Sequence, residues 1–145
     1  MSIVTTPEER FEDVPDYNHP HERVPVTEDG AEMAYVDVPA EGDDADETFV
    51  LMHGEPTWGF LYRKLIPTLA ERGRVIVPDM LGLGRSDKYT DPDAYSFDLH
   101  YKSFETCCSR NSTSRTSRWS ARTGAASSDW RWPATTPSGS PAWCR

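Results

Sequence analysis

His53-Gly54-Glu55-Pro56-Thr57-Trp58 sets an imidazole, a carboxylate and an indole around a glycine, groups that could act on a small substrate. Directly before it, Phe49-Val50-Leu51-Met52 is a short apolar run of the kind that forms a buried strand. Gly54 permits a tight turn, and Pro56 has a fixed φ and no N–H. A strand that stops on such a turn leaves backbone N–H groups free at the edge of its sheet. Free donors of this kind can stabilise a developing oxyanion. An ordinary strand-to-helix turn uses the same residues, so the turn alone leaves both readings open.

The elements that must hold this turn lie on either side of it. Residues 1–25 are polar and punctuated by Pro7, Pro15, Pro20 and Pro25, which reads as an extended arm over the surface, anchored by Phe11 and Tyr17. His19 and His21 flank Pro20 without a further ligand nearby, so no metal site is read there. Residues 24–26 form a first strand, Glu28-Asp29-Gly30 a hairpin-like turn, and residues 33–38 the alternating return strand. Residues 40–47 make an acidic loop without the spacing of a calcium-binding EF-hand. Beyond the turn, Phe60, Leu61, Leu65, Ile66, Leu69 and Ala70 recur at helical spacing. This predicts a helix over residues 57–72, broken or kinked at Pro67 and ended by Gly73. Residues 74–77 read as a second buried strand, closed by Pro78-Asp79. Two apolar strands joined by a helix make a βαβ unit with a parallel sheet. Ser96 is placed to cap a further helix that starts near Phe97.

Composition narrows the function classes. The chain has 145 residues and a formal charge of −9. Residues 106–145 hold six Arg and one Asp, a net +5, which leaves −14 on residues 1–105. So acidic a body argues against nucleic-acid binding and suits solubility. No apolar run approaches the roughly 20 residues that span a bilayer, which argues against a membrane role. The N-terminus has no basic start followed by an apolar stretch, so no signal peptide is read and a cytoplasmic protein is expected. Cys107, Cys108 and Cys144 match neither a zinc pattern nor a disulfide framework.

The second glycine-rich stretch, Asp79-Met80-Leu81-Gly82-Leu83-Gly84-Arg85-Ser86-Asp87, invites a phosphate-loop reading. Position 87 is Asp where a third glycine belongs, and no Gly-Lys-Ser/Thr follows, so nucleotide binding is set aside. Taken together, His53-Gly54-Glu55-Pro56-Thr57-Trp58, Leu61-Tyr62-Arg63-Lys64, Val77-Pro78-Asp79 and Gly82-Leu83-Gly84-Arg85-Ser86-Asp87-Lys88 resemble the haloalkane dehalogenase family of the α/β-hydrolase fold. The resemblance runs from about Thr6 to Glu105 and stops there.

That resemblance implies a specific chemistry. In the family an Asp carboxylate at a strand-to-helix turn attacks the halogen-bearing carbon and forms an alkyl-enzyme ester. A His then activates water to hydrolyse the ester, and an acid residue orients the His. The substrates are small halogenated organic molecules, and neither metal nor organic cofactor takes part. Glu55 matches the position whose backbone N–H serves the oxyanion hole, and Trp58 is expected to line the entrance of the site. His53 and His100 match positions other than the catalytic His. Asp79 and Ser86 match a structural turn beneath the active site, and the helix near Phe97 precedes the nucleophile strand. The nucleophile, base and acid are not expected within this chain. Epoxide hydrolases, which share the Asp nucleophile, are the neighbouring alternative.

Residues 106–145 break the pattern. They contain no Ile, Leu, Val, Met, Phe or Tyr, carry four of the five Trp, and show neither helical nor strand periodicity. The expectation is therefore three parts: an arm over 1–25, a partial, truncated α/β-hydrolase core over 26–105, and a disordered tail over 106–145. A basic, Trp-rich tail could make the chain a non-enzymatic binding protein. A shift of reading frame is the other account. If the true frame starts on the third base of each preceding codon, Cys107-Cys108 forces Leu, Asp129-Trp130 Leu, Trp132-Pro133 Ala and Trp143-Cys144 Val. Across residues 120–127 the same shift can read Gln-Asp-Trp-Gly-Gly-Leu, the family's nucleophile turn, with the Asp codon spanning Arg122 and Thr123.

Overall fold

The computed structural model describes residues 2–42, 47–111, 118–123 and 126–132. Strand β1 (Ile3–Val4) opens the arm, and strand β2 (His21–Pro25) pairs antiparallel with β3 (Glu32–Val38), Val24 opposite Met33. Gly30 lies at φ +87° in the connecting turn, a conformation glycine adopts without a Cβ penalty. Strand β4 (Glu47–Val50) leads through a 3₁₀ turn (Gly59–Tyr62) and helix α1 (Ile66–Ala70) to β5 (Gly73–Pro78). β4 and β5 pair in parallel, Phe49 opposite Val75, so the expected βαβ unit is present. β5 also pairs antiparallel with β3, which makes the sheet mixed. Strand β6 (Lys88–Tyr89) joins β1 in a separate two-stranded ribbon, and helix α2 (Phe97–Asn111) follows. The Leu99 N–H donates to Ser96 Oγ at 3.1 Å, the cap read from sequence.

Alternation along the strands splits the core between the two sheet faces. Met33, Tyr35, Val50 and Ile76 pack on one face, against Leu99, Phe104, Cys107 and Cys108 of α2. Val36, Phe49, Val75 and Val77 pack on the other, against Tyr62, Ile66 and Ala70 and against Tyr17 of the arm. Each large side chain so buried is worth about 1.5–3 kcal/mol. The arm is thus partly core: Tyr17 is buried and Phe11 half-buried, as anchors should be, and its last residues are a sheet strand.

Three local expectations change. Pro67 does not interrupt a helix; it sits in the first turn of α1, where the missing N–H would have had no intrahelical acceptor. What precedes it is the 3₁₀ turn. Gly73 opens β5 and does not end a helix: a Cβ there would lie 2.3 Å from the Glu47 carbonyl oxygen, so glycine lets the two strands start side by side. The third difference concerns the chain after Glu105. α2 continues to Asn111 with Cys107 buried in the core. Residues 118–123 form strand β7 (Arg118–Thr123), parallel to β4, and strand β8 (Ala126–Trp132) pairs antiparallel with it. The open side of β4 offers N–H and C=O groups that any extended backbone can satisfy, whatever its side chains. The sheet order is β2-β3-β5-β4-β7-β8. The other residues of the expected tail, and residues 43–46 of the acidic loop, lie outside the described residues.

One polar knot fastens the hairpin to the rest. Asp87 accepts from Thr5 Oγ1 at 2.6 Å, the Glu32 N–H at 2.8 Å and Arg23 Nη2 at 2.5 Å. Arg23 also donates to Glu32 and to the Arg85 carbonyl. Burial alone would push the Asp87 carboxyl up, but the bonds from Thr5, Glu32 and Arg23 outweigh it and hold it below the ordinary value. A carboxyl lowered by folding contributes stability above its unfolded pKa and loses it as pH falls through the folded one. Asp87→Asn is therefore expected to lower stability at neutral pH by about 1.5–3 kcal/mol, the worth of charge-assisted hydrogen bonds. Denaturant titrations at several pH values check this, with the difference shrinking below pH ~4.

Candidate active site

The turn after β4 is built around one carbonyl. Gly54 O accepts from the Thr57 N–H at 3.1 Å and from Thr57 Oγ1 at 2.7 Å, and lies 3.1 Å from His53 Nδ1. The Met80 N–H donates to His53 Nε2 at 3.0 Å. A backbone N–H can only donate, so Nε2 is the acceptor and Nδ1 carries the proton to Gly54 O. His53 is buried, and its ring ties the turn to the end of β5. It is a strut, in keeping with the non-catalytic position that the resemblance assigned to it.

This pinning sets the direction of the next N–H. The Gly54 carbonyl and the Glu55 N–H belong to one planar trans peptide group, so they point opposite ways. With the carbonyl bound into the turn by Thr57, the Glu55 N–H is turned outward, away from the turn. Glu55 is exposed, and no acceptor among the described residues takes this N–H. A fixed, unspent backbone donor at the sheet edge can receive an oxyanion with little reorganisation.

Beneath the turn sits Asp79, 3% exposed. Its carboxylate accepts from the Gly59 N–H at 2.7 Å and the Arg85 N–H at 2.9 Å. Burial pushes this carboxyl above its ordinary value, against the pull of those two N–H groups. Ser86 Oγ donates to the Asp79 carbonyl at 2.5 Å and accepts from the Ala34 N–H at 2.8 Å, while the Asp79 N–H donates to Ala34 O. Lys88 Nζ donates to the carbonyls of Gly84 and Ser86, both at 2.8 Å. The Gly82–Asp87 loop is thus held by its own chain and offers no cradle of free N–H groups for a phosphate.

Trp58 is half-buried. It packs against Phe11 (ring centres 5.3 Å apart), Tyr17 (5.4 Å, edge-on) and Phe60 (5.8 Å, stacked), with the Arg85 guanidinium 5.5 Å from its ring. The indole therefore serves as packing between arm and turn. His100 stacks on Tyr95 at the start of α2. Sequence reasoning singled out Glu55, Trp58, Asp79 and Ser86, and the structure places all four in or under this turn. It missed the interlocking of Arg85 and Lys88. Their signal was present as two cations within a loop otherwise read for its glycines.

Comparison with known proteins agrees with this geometry. Residues 47–116 match the family model of the alpha/beta hydrolase fold. A haloalkane dehalogenase of Psychrobacter cryohalolentis is 42% identical over 104 residues, 69% of this chain and 33% of that protein. A cis-3-alkyl-4-alkyloxetan-2-one decarboxylase of Xanthomonas campestris pv. campestris is 44% identical over 81 residues, 55% of this chain and 26% of that protein. Among solved structures, a tetrameric haloalkane dehalogenase of Paraglaciecola agarilytica superposes with a TM-score of 0.71 and 36% identity, covering 82% of this chain and 40% of that one. The mixed sheet, with helices on both faces and a glycine turn closing β4, is part of an α/β-hydrolase fold. Within that fold the chain is a relative of the haloalkane dehalogenases and spans about a third of the length of the curated relative named first. Among the described residues no helix is long and apolar enough to cross a membrane.

Gly84 tests how tightly the turn is built. It lies at φ +51°, and a Cβ would stand 2.3 Å from Asp79 Oδ2. Gly30 also has a positive φ but open space around it. Gly84→Ala should therefore cost more than Gly30→Ala, whose penalty is the backbone strain alone, of order 1 kcal/mol. Denaturant unfolding of the two variants side by side gives the comparison.

Proposed function

We propose that this chain is part of a hydrolase that cleaves carbon–halogen bonds in small organic halides. What supports the reading is the Glu55 N–H, left without an acceptor among the described residues beside the pinned Gly54 carbonyl, in a body 42% identical over 104 residues to a haloalkane dehalogenase. In the proposed reaction an Asp carboxylate displaces halide from carbon and becomes an ester. Water, deprotonated by a His, adds to the ester carbonyl, and the Glu55 N–H donates to the oxyanion that results. The ester bond then breaks to release the alcohol and regenerate the carboxylate. Overall, halide and water give alcohol, halide ion and a proton.

The residues at the end of β7 bear on the nucleophile. β7 follows α2, lies parallel to β4 and ends at Thr123. The shifted reading frame puts its Asp codon across Arg122 and Thr123, at this strand end. In the frame as translated those residues are Arg and Thr, and neither supplies a carboxylate. Asp129 belongs to the neighbouring strand β8. On this reading the chain as written has the oxyanion donor and lacks the nucleophile.

Two outcomes are expected. The nucleotide sequence across codons 100–150 should encode Gln-Asp-Trp-Gly-Gly in a second frame and continue to a downstream His. The purified 145-residue chain should release no halide from a short bromoalkane, whereas a version restored by one base should release it stoichiometrically with alcohol. Halide release by the unrestored chain would overturn the proposed lesion. Diol from an epoxide, or carbon dioxide from a β-lactone, in place of halide release by the restored protein would overturn the dehalogenase assignment.

A further inference from the structure

Arg85 is 6% exposed, and its Nε and Nη1 have no hydrogen-bond partner among the described residues. A buried cation is costly unless something replaces its water. Three aromatic rings face this one, and the buried Asp79 carboxylate acts on its charge as well. The guanidinium carbon lies 5.1 Å from the ring centre of Tyr17 and 5.5 Å from those of Phe11 and Trp58. Three π faces around one guanidinium form a cage that stabilises the charge electrostatically where water is excluded. The cage joins segments far apart in sequence: Phe11 and Tyr17 come from the arm, Trp58 from the turn after β4, and Arg85 from the loop after β5. None of these residues lies in a strand of the sheet. The Arg85 N–H is bound to Asp79, whose other oxygen holds the Gly59 N–H beside Trp58. Trp58 is therefore gripped through its ring by the cage and through the adjoining backbone by Asp79.

We propose that Arg85 is a positioning residue. Caged by Phe11, Tyr17 and Trp58, its guanidinium latches the N-terminal arm onto the turn that carries the Glu55 N–H, so that docking of the arm holds the oxyanion donor in place. This rests on the reading of Glu55 as that donor. His53 fixes the strand side of the turn through Met80, and the Arg85 cage fixes the helix side. With both ends held, the Gly54–Glu55 peptide group has no freedom to rotate its N–H inward. Arg85 itself touches no substrate; it acts through Trp58.

Hydrogen–deuterium exchange of the full 145-residue chain, read peptide by peptide, tests the latch without any reaction. Arg85→Met keeps the bulk and removes the charge; Arg85→Lys keeps the charge. Arg85→Met should raise exchange in residues 8–17 and 54–59 together, by about thirtyfold, the equilibrium shift that matches loss of a desolvated cation–π contact. β3 and β5 should stay protected, and Arg85→Lys should recover most of the protection. Phe11→Ala, at a half-buried arm position, should open residues 54–59 from the other side of the cage. It keeps the test alive if Arg85→Met does not fold. Unchanged exchange at 54–59 in the variants that fold would overturn the proposal. So would a rise spread evenly through β3 and β5, or failure of Arg85→Lys to restore protection. Because exchange reads the free chain, the latch can fail while the hydrolase reading stands, and loss of the hydrolase reading leaves the exchange result intact.

Discussion

Asp79 keeps a carboxylate out of water at the end of β5, and much of the site is arranged to make that tolerable. Burial opposes its charge, and two backbone N–H groups, from Gly59 and Arg85, offset part of that cost. Accepting them forces two loops to meet above the sheet. Gly59 and Gly84 carry no Cβ where one would press on the carboxylate, at 3.0 and 2.3 Å from its oxygens. A positive φ at Gly84 completes the approach. Of the two glycines that looked like a phosphate loop, Gly84 is there because a buried acid needs backbone close to it, and Gly82 leaves room for the Tyr95 ring, which a Cβ would meet at 2.7 Å.

From that anchor the turn after β4 inherits its shape. Asp79 places Gly59 and hence Trp58, while Met80, the next residue, holds His53. The two grips bracket Gly54 and Glu55, so the outward N–H follows from contacts made on either side of it. The surrounding polar groups serve the same end. Lys88 closes the loop on its own carbonyls, and Ser86 joins it to β3. For the oxyanion donor proposed here, a preorganised direction matters more than a special residue.

The strands after α2 show how little side-chain information a sheet edge demands. Residues 118–132 are poor in aliphatic residues, yet β7 lies in register beside β4, Glu47 opposite Arg118 and Val50 opposite Ala121. Backbone pairing is indifferent to sequence, whereas face burial is not. Reading the segment by its side chains alone could not reveal the pairing, since the donors that attract it belong to β4.

The body of the fold was legible because its signals are local. Alternation in residues 33–38, the apolar runs of β4 and β5, the Asp29-Gly30 turn and the Ser96 cap each lie within a few residues of the structure they specify. Helix α1 was misread because Pro67 carries opposite meanings in the first turn and in the middle of a helix, and only the true start of the helix distinguishes them. Glu55 and Trp58 could be picked from the sequence as neighbours of a strand-ending glycine. Which way the Glu55 N–H points, and that Trp58 closes over Arg85, could not. Those outcomes depend on His53 meeting Met80, 27 residues on, and on Phe11 meeting Arg85 across nearly the whole body. By itself the sequence determined where β3, β4 and β5, the Asp29-Gly30 turn and the Ser96 cap fall, because backbone preference and burial period act over a few residues. Tertiary structure alone decided which buried charges find partners, because a desolvated carboxylate or guanidinium must be met by whatever group the packed chain brings to it.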